Sequence, residues 1–165
     1  MKLKRIKLSR DRFAIIDSGD YESLVKFKWY CNHYGYAVRE RYFGMVGGKR
    51  KRGCVWMHRE ITSAPSGIFV DHKNGNKLDN RRSNLRLATN QQNKANESPK
   101  RSNTSGFKGV VWCKKRKRWV AQITFWGKCL NLGGYKNKKE AALRYDEAAI
   151  RFFGLFAKTN FAHAS

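Results

Sequence analysis

A polar connector near the middle of the chain constrains the fold more than any other feature. It runs from Glu97 to Ser105 and contains only polar or charged residues and one proline, a composition suited to a linker or to a segment that follows a phosphate backbone. The hydrophobic pattern changes from one side of it to the other. We therefore predict an α+β protein with two small domains, residues 1–97 and 106–165, joined by a linker at 98–105.

The first predicted domain is rich in short strands separated by polar turns. The predicted strands are Lys4–Leu8, Phe13–Ile16, Tyr36–Tyr42 and Cys54–Met57, and the glycine-containing stretch 47–53 is expected to interrupt them. Residues 69–97 predict a strand, a long Asn-rich loop, a second strand at Leu85–Ala88 and a short helix at Thr89–Asn96. Thr89 is a suitable N-cap for that helix.

The second predicted domain is a three-stranded antiparallel sheet packed on one C-terminal helix. The strands are expected at 107–113, 118–126 and 128–133, with a tight turn at Gly127. Two-residue alternation along the middle strand separates an apolar face from a polar one, which carries Arg118, Gln122, Thr124 and Trp126. The helix is predicted to begin after Asn137 and to end at Gly154, and its apolar stripe consists of Ala141, Tyr145, Ala148 and Phe152.

The charge of the chain limits the class of partner. Lys and Arg total 36 against 12 acidic residues, giving a net charge of +24. The excess is shared, because residues 1–97 carry 21 basic and 9 acidic side chains and residues 98–165 carry 15 and 3. Such a field attracts polyanions, which are DNA, RNA or an acidic membrane surface. We expect both domains to contact the same polyanion.

Several classes of protein are disfavoured. No apolar run approaches the ~20 residues that span a bilayer, and the basic N-terminus lacks the apolar stretch of a signal peptide, so a cytoplasmic protein without membrane contact is expected. Structural zinc and a disulfide framework both fit poorly, because the four cysteines are scattered without a Cys-x-x-Cys pair; they are Cys31, Cys54, Cys113 and Cys129.

The residues that indicate chemistry begin at Asp71-His72. Hydrolysis of a phosphodiester needs a base that deprotonates water and a hard cation that neutralises developing charge. A neutral imidazole suits the base, since its unperturbed pKa near 6.5 lets it accept a proton at physiological pH. Oxygen atoms of Asp and Asn suit Mg²⁺. Adjacent residues on a strand point to opposite faces, so His72 can present a base on one side and Asp71 a metal ligand on the other.

The motifs around His72 resemble the HNH endonucleases found in phages and among intron-encoded homing nucleases. They are Asp-His at 71–72, Asn-Gly-Asn at 74–76, Leu-Asp-Asn-Arg-Arg at 78–82, Ser-Asn-Leu-Arg at 83–86 and Gln-Asn at 92–93. The resemblance implies a ββα-metal fold with one divalent metal, Mg²⁺ or Mn²⁺. It also implies that His72 is the general base, that Asp71 and Asn93 are metal ligands, and that Asn84 holds the loop and orients His72. The role of His58 stays open between catalysis and packing.

The C-terminal region resembles the APETALA2/ethylene-response-factor DNA-binding domain. The shared residues include Ser-Gly-Phe-Lys-Gly-Val at 105–110, Trp-Val-Ala-Gln-Ile at 119–123 and Leu-Gly-Gly-Tyr at 132–135. That family lays its sheet in the major groove of double-stranded DNA. The resemblance implies DNA contacts from Lys108, Gln122, Thr124, Trp126 and Asn131. Arg116 and Arg118 lie in a basic loop that suits phosphate contacts.

The sequence is to be read against three classes of function: a nuclease, a DNA-binding regulator and an RNA-binding protein. The sequence favours a homing-type DNA endonuclease that acts as a monomer with no protein partner. A non-catalytic DNA-binding regulator on a degenerate HNH scaffold is the alternative, but such a protein would usually have lost Asp71, His72 or Asn93. An RNA-binding protein is disfavoured because aromatic stacking platforms are expected on its sheet, and the predicted face is mostly Gln, Thr and Asn.

Overall fold

The computed structural model describes residues 2–161 and divides the chain into two compact units, Met1–Ala88 and Thr89–Ser165. The architecture is mixed α and β with antiparallel strand pairs and a C-terminal helix, which confirms the predicted α+β class. Within the described residues, no helix is long and apolar enough to cross a bilayer.

The described residues of the first unit form seven strands and two short helices. Their bounds are β1 Leu3–Lys7, β2 Phe13–Asp17, α1 Ser18–Leu24, β3 Tyr30–Cys31, β4 Ala37–Val46, β5 Lys49–Trp56, α2 Met57–Thr62, β6 Phe69–His72 and β7 Leu85–Ala88. β1 pairs with β2, β4 lies between β3 and β5, and β6 pairs with β7, all antiparallel. A single apolar cluster, which includes Ile16, Leu24, Trp29, Met57 and Leu85, joins these pieces into one core.

The expected interruption at 47–53 is confined to the turn at Gly47 and Gly48, because the rest of this stretch continues a long hairpin. Gly47 and Gly48 take positive φ angles of 56° and 73°, which a two-residue turn of the hairpin type requires. The ladder then resumes with Lys49 opposite Val46, shifts its register between Tyr42 and Met45, and continues with Gly53 paired to Arg41. A side chain at residue 53 would lie 2.9 Å from the Phe43 ring, so this glycine allows close packing across the ladder.

Helices α1 and α2 were not predicted. Each is a short helix of seven or six residues, too brief to show a helical hydrophobic period. α2 begins at Met57, where the sequence indicated the end of a strand, and it buries Met57, His58 and Ile61. The consequence for the site is that His58 lies on a helix packed into the core.

The second unit begins with helix α3, Asn90–Asn96, whose predicted N-cap is confirmed. The Thr89 side chain accepts a hydrogen bond from the Gln92 backbone N–H, and the Gln92 side chain accepts one from the Thr89 backbone N–H. This is a capping box, which satisfies two backbone donors at the helix start.

The rest of the second unit is the predicted sheet and helix. The sheet has the order β10-β9-β8, formed by β8 Val110–Cys113, β9 Arg118–Phe125 and β10 Lys128–Tyr135, and helix α4 spans Lys138–Phe153. Asn137 caps α4 by accepting from the Lys139 N–H at 2.8 Å. The alanines of α4 are buried against the sheet, and at residue 109 an added Cβ would lie 1.9 Å from the Tyr145 ring.

Candidate functional site

His72 is the last residue of β6 and is almost completely buried. The pairing of β6 with β7 places it opposite Leu85 and places Asp71 opposite Arg86. Only 4% of the His72 surface is exposed. Burial lowers the pKa of His72, and this effect exceeds the opposing contributions from Asn80, Asp71 and Asp79. The imidazole is therefore neutral at physiological pH, which is the form that can accept a proton.

The Asp71 carboxylate is held by the neighbouring strand. Both Nε and Nη2 of Arg86 lie 2.7 Å from Asp71 Oδ2. The two side chains are 16% and 6% exposed, and a buried carboxylate is found with such a partner because an unpaired charge in the interior is costly. The pair fixes the direction of the carboxylate, and it places a positive charge beside the predicted metal ligand.

Asn84 lies at the end of the loop between β6 and β7 and closes it by hydrogen bonds. Its Nδ2 donates to Asn74 Oδ1 at 3.0 Å and to the Asp79 carbonyl at 2.8 Å, and its Oδ1 accepts from the Asn74 N–H at 3.1 Å. The backbone adds a bond from the Lys73 N–H to the Asn84 carbonyl. Asn84 therefore occupies a position from which it can organise the loop that follows His72.

The same loop is attached to the N-terminal strand and helix. The Arg82 N–H donates to Asp17 Oδ2 at 2.8 Å, and the Arg82 guanidinium lies 2.7 Å and 3.0 Å from the two oxygens of Asp20. The Arg81 guanidinium bonds the buried Asp79 carboxylate and holds the pKa of Asp79 below its usual range. The Arg82 contacts join residues more than 60 positions apart and limit the movement of the loop.

Asn80 makes a hydrogen bond to the His72 ring. Its Oδ1 lies 3.3 Å from His72 Nε2, and the Asn80 side chain is fully buried. Sequence reasoning did not single out this residue, although it stands within the Leu-Asp-Asn-Arg-Arg motif. Asparagine is common in turns, so the local sequence alone did not distinguish it from its neighbours.

His58 lies beside His72 in a cluster of aromatic rings. The His58 ring centroid is 5.2 Å from that of His72 at an interplanar angle of 78°, and the Tyr36 and Trp56 rings are also in contact with His58. Desolvation, followed by the charges of His72 and Arg59, lowers the pKa of His58 to about 3. His58 Nδ1 is buried and has no hydrogen-bond partner among the described residues. The neutral His58 ring packs against the His72 ring.

The predicted metal ligands, Asp71 and Asn93, carry oxygen atoms, which are the kind of ligand that a hard divalent cation takes. Within residues 2–161, no group of three or more His, Cys, Asp or Glu side chains could hold a metal ion. Asp71 offers a buried carboxylate, and Asn93, the predicted amide ligand, lies on α3 in the second unit. Mg²⁺ typically takes one or two protein carboxylates and fills its octahedral shell with water and substrate phosphates. A sparse set of oxygen ligands is compatible with this behaviour.

In the second unit, the predicted polar face lies on β9, β10 and their turns. Asn131 pairs directly with Gln122, and Cys129 pairs with Thr124. Thr124, Asn131, Arg116 and Arg118 are exposed, and Gln122 is half-buried. Trp126 stands in the β9–β10 turn with 78% of its surface exposed. These side chains are available to a partner that approaches the sheet.

Lys108 has a different environment from the other residues predicted to face DNA. Its ammonium donates to the Ala95 and Lys94 carbonyls at the C-terminal end of α3. Burial lowers the pKa of Lys108 to about 8. A lysine at this place satisfies helix carbonyls that lack a partner within the helix. In this structure the Lys108 charge is thus engaged by α3.

Comparison with known proteins agrees with both motifs. The family model described as HNH endonuclease matches residues 63–95, and the AP2 domain model matches residues 105–155. An uncharacterized HNH endonuclease, L560, of Acanthamoeba polyphaga mimivirus is 32% identical over 154 residues, covering 90% of this chain and 74% of the viral protein. The chain belongs to the HNH endonuclease family.

Two further relatives match parts of this HNH family member. Protein 3.8 of Escherichia phage T7 is 44% identical over 91 residues, which are 55% of this chain and 74% of the phage protein. APETALA2-like protein 2 of Oryza sativa subsp. indica is 43% identical over 61 residues, which are 37% of this chain and 14% of the plant protein. The resemblance to both families that the sequence indicated is thereby confirmed, and a DNA-binding, nuclease-type role is supported.

Proposed function

We propose that this HNH family member is a DNA endonuclease in which His72 is the general base for phosphodiester hydrolysis. The observation that carries the proposal is the His72 environment: a buried imidazole with a lowered pKa, beside a fixed carboxylate and at the end of a two-stranded ladder. A neutral histidine at physiological pH can remove a proton from a water molecule in line with the phosphorus.

The protein groups around His72 have separate tasks in this proposal. Asp71 contributes a carboxylate to one divalent cation, Mg²⁺ or Mn²⁺, and Asn93 stays the predicted amide ligand. When bound, the cation supplies charge neutralisation at the phosphate and at the leaving oxygen. Arg86 orients Asp71 through its two short contacts, and Asn84 closes the loop that follows His72.

The second unit would supply DNA binding. The AP2 match supports this, because the resemblance to that family implies a sheet that lies in the major groove. We propose that Gln122, Thr124, Trp126 and Asn131 face the bases and that Arg116 and Arg118 contact phosphates. Lys108, whose ammonium is engaged by α3, is left out of this set.

The expected reaction is cleavage of a long site of the homing type. One general base per chain makes a nick by a monomer the simplest product, and two cut strands would require a second chain or a second event. A regulator without catalytic activity is the competing function. It has the same fold and the same DNA-binding face, so only a measurement of cleavage separates the two.

The deciding experiment compares wild-type protein, His72→Ala and His33→Ala on supercoiled plasmid DNA with Mg²⁺, with Mn²⁺ and with chelator. His33 is an exposed histidine and serves as the matched control. We expect metal-dependent nicked or linear DNA from the wild type and His33→Ala, and strongly reduced cleavage by His72→Ala, with equal DNA affinity for all three in gel shifts. Equal cleavage by His72→Ala would refute His72 as the base. Retained binding without cleavage on a plasmid library of sites would favour the regulator.

A further inference from the structure

We propose that Asn80 is a positioning residue that sets the tautomer of His72. The inference rests on the proposed function of His72 as the base, and it concerns a residue to which neither the motif analysis nor the relatives give a role. Its basis is the contact between Asn80 Oδ1 and His72 Nε2 at 3.3 Å, made between two buried side chains that are eight positions apart in the chain.

The chemistry of the two groups determines which one donates and which one accepts the hydrogen bond. A neutral imidazole carries a proton on one ring nitrogen and a lone pair on the other, and an amide oxygen can only accept a hydrogen bond. With Oδ1 facing Nε2, the proton lies on Nε2 and the lone pair lies on Nδ1. A general base needs its lone pair on the nitrogen that meets the water. Asn80 therefore selects Nδ1 as the basic atom.

Asn80 is held by its backbone, so its side chain has a fixed starting point. The Asn80 N–H donates to the Ile15 carbonyl and the Ile15 N–H donates to the Leu78 carbonyl, both at 2.8 Å. Residue 79 forms a parallel bridge with Ile15. The Asp79 carboxylate is anchored at the same time by Arg81 and by Asn74 Nδ2 at 2.8 Å. Backbone hydrogen bonds therefore hold the segment that contains Asn80 against β2.

The other atom of the Asn80 amide makes asparagine costly at this position. Asn80 Nδ2 is buried and has no hydrogen-bond partner within residues 2–161. A buried N–H without a partner costs free energy, so such a group in a native structure calls for an explanation. An apolar residue of similar size would avoid that cost. The property that favours asparagine at this position is its side-chain oxygen, which forms a hydrogen bond with the His72 ring.

Neighbouring rings restrict the His72 plane while Asn80 bonds its edge. The His58 and Tyr36 centroids lie 5.2 Å and 5.9 Å from that of His72, with interplanar angles of 78° and 53°. Rotation of the imidazole by half a turn would exchange the positions of its ring atoms and would bring a C–H toward Asn80 Oδ1. Asn80 and the two rings together favour one orientation of the base.

The first arm of the test reads the tautomer directly by NMR on the full chain with ¹⁵N-labelled histidine at pH 7.5. Wild type is expected to show His72 with its proton on Nε2. Asn80→Asp keeps the acceptor oxygen and is expected to keep the proton on Nε2. Asn80→Leu, of similar volume but without an acceptor, is expected to give a mixture. A proton on Nδ1 in the wild type, or an unchanged Nε2–H tautomer in Asn80→Leu, would overturn the proposal.

The second arm measures single-turnover cleavage and DNA affinity separately. Asn80→Leu is expected to slow cleavage by roughly 10- to 100-fold, the range seen when an orienting partner is lost, with no change in Kd for DNA. In the His72→Ala background the same substitution should not lower the cleavage rate further, because Asn80 acts on the reaction only by orienting His72. An equal loss in both backgrounds would mean a general structural role and would refute the positioning.

The two arms separate this proposal from the proposed function. The NMR arm needs no catalysis, so an inactive protein with the expected tautomer change would support the Asn80 contact while refuting His72 as a base. The wild-type spectrum decides the tautomer even if Asn80→Leu does not fold. Thermal unfolding of each variant identifies that case.

Discussion

Acidification should destabilise the first unit through His58. The folded environment lowers the pKa of this histidine from 6.5 to about 3, mainly because the ring is desolvated. In the unfolded chain the ring regains its ordinary pKa. Between pH 6.5 and pH 3 the unfolded state therefore binds more protons than the folded state, and stability falls as the pH falls through this window.

The size of the effect follows from the shift. For one proton, each pH unit below 6.5 lowers the free energy of unfolding by up to about 1.4 kcal/mol. His58 alone therefore lowers it by about 2 kcal/mol at pH 5. The His58 side chain is 6% exposed, and solvent screening does little to reduce this figure. His72, whose pKa is also lowered, adds to the loss in the wild type.

Urea unfolding at pH 7.5 and pH 5.0, followed by NMR of the tryptophan indoles, would measure the loss. Trp29, whose indole N–H donates to the Leu24 carbonyl at 2.8 Å, reports the first unit, and Trp119 reports the second. Between the two pH values, the free energy of unfolding of His58→Gln should fall by about 2 kcal/mol less than that of the wild type. The variant His33→Gln, at an exposed site, should show the same fall as the wild type. The same pH dependence in wild type and His58→Gln would refute the reasoning.

Two further predictions concern the second unit. Gly109→Ala should destabilise it by roughly 3 to 5 kcal/mol, because residue 109 has φ of 73° and a Cβ there would lie 1.9 Å from the Tyr145 ring. Gly106→Ala, at φ of 79° with nothing within 4 Å, should cost only about 1 kcal/mol; similar urea midpoints for both variants would contradict the packing argument. Arg116→Ala should weaken DNA binding and reduce the log–log salt slope by about 0.9 if one phosphate contact is lost, and Arg151→Ala on α4 is its control. An unchanged slope for Arg116→Ala would remove that residue from the proposed phosphate contacts.

The sequence predicted those parts of the fold in which neighbouring residues carry the information. Thr89 and Asn137 were identified as helix caps because capping depends on residues within one turn. The strands that carry Asp71 and Gln122 were predicted from their alternation and from the turns that flank them. In both units these predictions agree with the structure, within a few residues at the ends.

Contacts between distant residues were beyond such reasoning. The Arg82–Asp20 ion pair joins positions 62 apart, and its partners look like ordinary surface charges in the sequence. The Asp71–Arg86 pair depends on the register of β6 against β7, which a one-residue shift would change. The environment of Lys108 depends on where α3 ends in space. Each of these requires the tertiary structure.

The attachment of the loop to β2 has a consequence for how this nuclease motif can be inherited. The segment recognised by the family model begins at residue 63, yet the peptide that carries Asn80 is bonded by Ile15, and Arg82 is bonded by Asp17 and Asp20. A recombination event that moved the recognisable motif alone would leave these supports behind. The exchangeable module in gene shuffling must therefore extend back to β2, and a graft for protein engineering should start no later than Phe13.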